Sequence, residues 1–105
     1  MFRRKKRLEY QVVGGANPPN WRLEKMTPDQ MTLIIKVELI SGDFESLLAL
    51  DVYVTDEYNV RSDSQLTGSD PERTVAMWGF AVDKNSRVFD IHFPDGDLGR
   101  ISIRD

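Results

Sequence analysis

The sequence predicts a small all-β or mostly β domain: an antiparallel sheet, closed as a partly open barrel or folded as a two-layer sandwich, with a C-terminal meander. Three observations predict it. The chain of 105 residues fits one hydrophobic core and is short for two. Residues 31–40, MTLIIKVELI, are rich in β-branched side chains and alternate Leu33, Ile35, Val37 and Leu39 against Ile34, Lys36, Glu38 and Ile40. The last third holds three more apolar or alternating runs separated by the short turn sequences 83–86 and 94–97. Connections that short join antiparallel rather than parallel neighbours.

Residues 1–7 are expected to be a basic flexible tail, and 8–105 a single β domain. From Leu8 the pattern changes, and Leu8, Tyr10 and Val12 alternate with polar neighbours in a first strand ending at Gly14-Gly15. GGANPPN then supplies turn residues, with two prolines that cannot donate ladder hydrogen bonds. Trp21 and Leu23 share one face of a short strand ending near Met26. The sequence Thr27-Pro28-Asp29-Gln30 reads either as a turn or as a capped helix start, and the β-branched run that follows favours the turn. At 43–50 the apolar spacing is helical, yet the segment runs directly into the period-two sequence DVYVT. The preferred reading is a turn around 41–43 and a strand from about Leu47 to Thr55; one helical turn before it leaves the class unchanged. Residues 56–73 form a long polar excursion that carries a short edge strand around Tyr58 to Arg61, or is mobile, or is functional. TVAMWGFAV, from Thr74 to Val82, is apolar on both faces, as a central strand would be. Gly79 there marks a bend or a close approach. Phe89, Ile91 and Phe93 then share a face, and Ile101 and Ile103 repeat that pattern.

Composition narrows the chemistry. With 40% hydrophobic and 30% charged residues, the chain is globular rather than disordered in type. There is no cysteine, which removes disulfides, thiol catalysis and cysteine-held clusters. A single histidine, His92, removes multi-histidine metal sites. No stretch reaches the roughly 20 apolar residues that span a bilayer. Glu9 and Gln11 interrupt what would be a signal-peptide apolar region, so a cytoplasmic location is expected. Arg3, Arg4, Lys5, Lys6 and Arg7 supply five of the 14 basic residues; the rest of the chain, with 17 acidic residues against nine basic ones, carries −8.

Each candidate for chemistry has a simpler structural reading beside it. Asp90 and His92 share a strand face, with Asp95 and Asp97 after the turn, but any polar strand face produces that spacing. PDGDLG has the local chemistry of a calcium loop without its distal glutamate. The acidic residues Asp56, Glu57, Asp63, Asp70 and Glu72 suit a hard cation or a solvated loop. Gly14-Gly15 lacks any phosphate-loop form. No catalytic residue, metal ligand or cofactor is expected, and an enzyme is disfavoured.

The expected function is a non-catalytic protein–protein interaction or assembly module, whose partner is another protein or a second copy of the chain. Partner-binding residues are expected among Arg3, Arg4, Lys5, Lys6, Arg7, Tyr58 and Arg61. The alternatives are a nucleic-acid-binding small β barrel, using the basic tail and a cationic face drawn from Arg22, Lys25, Lys36, Arg87, Arg100 and Arg104, and a carboxylate-based enzyme. The latter requires several of Asp51, Asp56, Asp90, Asp95 and Asp97 to converge in one pocket.

Overall fold

The structure is a computed structural model that describes residues 7–96 and 98–103, Leu98 by its backbone alone. Its elements are β1 (Glu9–Ala16), β2 (Gln30–Ser41), α1 (Phe44–Leu48), β3 (Tyr53–Asp56), β4 (Arg61–Ser69), β5 (Val75–Asp83), β6 (Val88–His92) and β7 (Leu98–Ser102). The strands form one seven-stranded sheet in the order β1-β2-β5-β4-β3-β6-β7. Every pairing in it is antiparallel. The sheet curls until β7 approaches β1, giving a nearly closed barrel with one unsealed seam.

The alternation of the strands decides what lies inside. Leu33, Ile35 and Val37 of β2, Trp78, Phe80 and Val82 of β5, Val54 of β3 and Phe89 and Ile91 of β6 are buried in one cluster. The same-face rule for cross-strand partners holds throughout, as in Leu33 opposite Phe80 and Val54 opposite Ile91. Three register shifts help to bend the sheet, leaving Val13 of β1, Ile40 of β2 and Gln65 of β4 as extra residues. Because of the last shift, Ser64 faces inward with Phe80 while Leu66 faces outward opposite Gly79.

β5 is the central strand its two apolar faces predict, paired with β2 and β4. Its outer face is covered by the segment between β1 and β2. Leu23 of that segment, Ile34 and Leu66 all converge on Gly79, where an added Cβ would lie 3.2 to 3.4 Å from them. The glycine therefore serves a close approach of side chains. The strand expected around Trp21 and Leu23 does not form, because this segment lies across the sheet and has no ladder to join. At its end Gln30 N–H donates to the Thr27 carbonyl (3.1 Å), and Thr27 N–H donates to Gln30 Oε1 (3.0 Å). The turn reading is the correct one, with a capping-box type bond inside it.

Three further expectations are corrected. Residues 44–48 are helical rather than the start of a strand: α1 buries Phe44 and Leu47 as a plug in the end of the barrel where β2 finishes and β3 begins. So short a helix is marginal alone, and packing supplies its stability. The excursion 56–73 contains β4, a strand of nine residues with neighbours on both sides, not a short edge strand. The three-strand meander also fails. β6 and β7 form a hairpin, but β5 and β6 are separated by β4 and β3. A short link can join them because it crosses the barrel's other end over the β3–β4 turn. Buried Ser86 donates its hydroxyl to Asp56 (2.7 Å), and Arg87 N–H donates to the Glu57 carboxylate (3.1 Å). Strands β3 to β6 thus have Greek-key order.

Asp70 holds the β4–β5 turn. Its carboxylate accepts the N–H groups of Thr74 and Val75 (both 2.8 Å) and the Thr74 hydroxyl (2.7 Å). Arg73 meanwhile adopts a left-handed φ of 58°. The Val75 N–H, followed by the Thr74 hydroxyl, holds the Asp70 carboxyl below its ordinary value. A carboxyl lowered in the folded state contributes stability above its ordinary range and loses it as pH falls through the folded value. Asp70→Asn is therefore expected to melt below the wild type at pH 7, and the gap should close as both are acidified; thermal melts across pH 7 to 3 measure it. Leu47→Ala, which removes a fully buried side chain from the plug, should cost about 2–5 kcal/mol, read from the urea midpoint.

Candidate functional site

The outward residues of β4, β3, β6 and β7 form the most organised polar surface. Alternation turns Tyr53 and Thr55 outward from β3, and register sets Asp63 and His92 on either side of Tyr53 and Arg61 and Asp90 on either side of Thr55. Tyr53 and His92 stack in near-parallel planes, 4.4 Å between centroids and 4° apart. The Arg61 guanidinium carbon lies 3.9 Å from the Tyr53 ring centroid. An exposed contact of that kind contributes about 0.5–1 kcal/mol. Arg61 also pairs with Asp63 at 2.9 Å, and His92 Nε2 shares a 2.8 Å hydrogen bond with Thr55 Oγ1.

The arrangement answers the question posed by Asp90 and His92. Asp90 turns its oxygens to Arg100, at 2.7 and 3.3 Å, and His92 bonds Thr55. The Arg100 hydrogen bond is the first cause holding the Asp90 carboxyl below its ordinary value, while burial opposes it and the charges of Arg100 and His92 add to it. This is a strand-face ladder rather than an acid–base dyad. Arg100→Gln should return the Asp90 carboxyl toward its ordinary titration range while leaving that of Asp70 in place; carboxyl carbon shifts followed by NMR across an acid titration measure both.

The turn between β3 and β4 extends this surface. Asp56 Oδ1 accepts the N–H groups of Tyr58 and Val60, both at 2.9 Å, and Asn59 takes a left-handed φ of 63°, a conformation asparagine tolerates better than most residues. The clamp presents Tyr58, 72% exposed, and Val60, 57% exposed, at the tip. Of the expected partner-binding residues, Tyr58 and Arg61 are thus brought together on one hairpin. Arg7 lies elsewhere, exposed, its carbonyl accepting the Ser41 hydroxyl at 2.7 Å. Arg3, Arg4, Lys5 and Lys6 lie outside the described residues.

Other candidates disperse. Asp56 sits at the end of β3, Asp90 on the outer face of β6, Asp51 before β3, and Asp95 in the β6–β7 turn, where it accepts the Tyr10 hydroxyl at 2.7 Å. Asp97 lies outside the described residues. Asp56, Glu57, Asp63 and Asp70 serve turns and pairs, and among the described residues no three histidine or carboxylate side chains gather to hold a metal. Pro94, Asp95 and Gly96 form a turn, with Gly96 at φ 91° and its N–H on the Phe93 carbonyl. The cations Arg61, Arg73, Lys84 and Arg100 each lie beside a carboxylate, of Asp63, Glu45, Asp29 and Asp90. Arg22, Lys25, Lys36, Arg87 and Arg100 are spread over the β1–β2 segment, β2, the crossing link and β7, and Arg104 lies outside the described residues.

A feature that sequence reasoning missed is a groove of about 520 Å³ between residues 21–25 and the bulge of β4, lined by Trp21, Leu23 and Leu66. Gln65 ties its two walls together, accepting Lys25 N–H (3.2 Å) and donating to the Lys25 carbonyl (3.0 Å). Trp21 in a Pro-rich connection was the available signal. The Tyr53–His92 stack was missed for another reason: the alternation of DVYVT and FDIHF puts both rings outward, but only strand order makes them neighbours. Among the described residues no helix is long and apolar enough to cross a membrane. Comparison with protein-family models, curated proteins and solved structures returns no match.

Proposed function

We propose that this domain is a non-catalytic interaction module that binds another protein, or a second copy of itself, through the β3–β4 hairpin and the face behind it. The observation that carries the reading is the clamped tip: an aromatic and an aliphatic side chain, 72% and 57% exposed, held on a turn whose backbone is fixed by Asp56. A rigid aromatic anchor loses little conformational freedom on binding, and Tyr and Arg are enriched among residues that dominate interface energies. Arg61, already stacked on Tyr53, is pre-organised beside it. Pairing of Arg61, Arg73, Lys84 and Arg100 with carboxylates, and the dispersal of Arg22, Lys25 and Lys36 over separate segments, favour a protein over a nucleic acid, because phosphate binding draws on a concentrated, free cationic charge. The basic tail adds a second, electrostatic contact in this proposal.

A photo-crosslinkable residue at position 59 identifies whatever meets the tip. Replacing Tyr58 by Ala should weaken the captured interaction at least tenfold, about 1.4 kcal/mol, and Arg61→Ala should weaken it less, with the fold intact by circular dichroism. Capture that is unchanged in both variants rejects the hairpin as the binding surface. If the captured protein is a second copy, sedimentation between 1 and 100 μM should show dimers that Tyr58→Ala removes.

A further inference from the structure

We propose that the seam between β1 and β7 is a docking slot for one extended peptide strand of a partner protein, running antiparallel to both edges. The slot is separate from the hairpin and does not depend on it. Among the described residues β1 has a ladder only with β2, and β7 only with β6, so each keeps one row of backbone N–H and C=O groups outside those ladders. Six successive antiparallel pairings leave β1 and β7 pointing the same way. What bridges them is side chains. Tyr10 donates to Asp95 (2.7 Å) and its ring lies 4.8 Å from that of Phe93. Val12 fills the notch at Gly99, and Ile101 the notch at Gly15, where an added Cβ would lie 2.8 and 2.5 Å from them.

The direction of the two edges selects the occupant. A single inserted strand that opposes both makes eight antiparallel strands, an even number that closes with no edge left over. Each inserted residue pairs to one side or the other, so the ladder recognises backbone and is tolerant of sequence. The length follows from the flanks, five residues in β7 and eight in β1. The flanks must part to about 9.6 Å, two strand spacings, which withdraws Val12 and Ile101 from their notches. The inward residues of the occupant then meet Tyr10, Val12 and Ile101, which pack against the core. Alternate apolar residues are the chemistry that fits. No described strand of this chain is free to supply it, since all seven already stand in the sheet.

The test locks the seam. The chain has no cysteine, and a Cβ built on Gly99 lies 3.7 Å from Val12 Cβ, inside the range of about 3.5–4.5 Å that a disulfide spans. A displayed library of nine-residue peptides with alternating apolar positions is selected on the full chain. The enriched peptides should bind reduced V12C/G99C, lose at least tenfold in affinity on oxidation, and recover on reduction. They should bind Tyr58→Ala as they bind the wild type. On the wild-type chain, bound peptide should slow amide exchange in both 9–16 and 98–102, a readout that does not rely on the double variant folding. No enrichment, equal binding to the oxidised form, or protection confined to one strand overturns the proposal. Dimerisation of the chain alone at 100 μM, abolished by oxidation, would assign the slot to a second copy and overturn the peptide reading.

Discussion

A sheet of seven strands joined only by antiparallel pairs meets itself with its first and last strands parallel, and the rest of this molecule is organised around that mismatch. The antiparallel ladder does not continue across such a seam, and no parallel ladder forms there among the described residues; side chains do the closing. The two glycines that receive Ile101 and Val12 matter for this reason: a Cβ at Gly15 would stand 2.5 Å from Ile101 Cδ1 and one at Gly99 2.8 Å from Val12 Cγ2, so a side chain that closes the seam would have to shift. The bulges at Val13, Ile40 and Gln65 supply curvature that brings the edges together. Both open ends then need covers, and the chain uses its two connections between non-neighbouring strands for the purpose. α1 plugs one end on the way from β2 to β3, and the link from β5 to β6 crosses the other, anchored by Ser86 on Asp56.

That arrangement explains what was legible in the sequence. The partly open barrel follows from period-two runs, and β2 and β5 stand where MTLIIKVELI and TVAMWGFAV place them, because the alternation of the first and the apolar character of the second on both faces are written in the sequence. β4 was hidden for the opposite reason. RSDSQLTGS has little β propensity and puts Ser62 and Ser64 toward the interior; backbone ladders on both sides, with β3 and β5, hold it in place against its propensity. The meander failed on geometry rather than propensity. A short connection implies neighbours in a flat sheet, whereas across the end of a barrel it can reach a strand three places away.

The candidate surface has the same history. Its residues were visible singly: Tyr58 and Arg61 in the polar excursion, Asp90 and His92 on a strand face. Their association depends on β3 lying between β4 and β6, which no local pattern encodes. Once that order is set, Tyr53 becomes the centre of a stack with Arg61 and His92, and the charges pair locally, Arg61 with Asp63 along β4 and Arg100 with Asp90 between β7 and β6. Four of the carboxylates that composition offered as possible ligands are instead engaged by structure. Asp56 and Asp70 cap turns, and Asp63 and Asp90 hold arginines.

Polarity in β4 also bears on why the candidate surface lies where it does. A strand with serines inward adds little apolar area to the core, so its neighbours carry the burial and its outer face is free to be charged. The hairpin at its start gains rigidity from Asp56 rather than from packing, which lets Tyr58 and Val60 face solvent without loosening the barrel. Asp56 joins the two tasks: Oδ1 fixes the hairpin tip, while Oδ2 accepts the Ser86 hydroxyl and anchors the crossing link. The presentation of the tip and the closure of that end of the barrel are therefore mechanically coupled through one carboxylate.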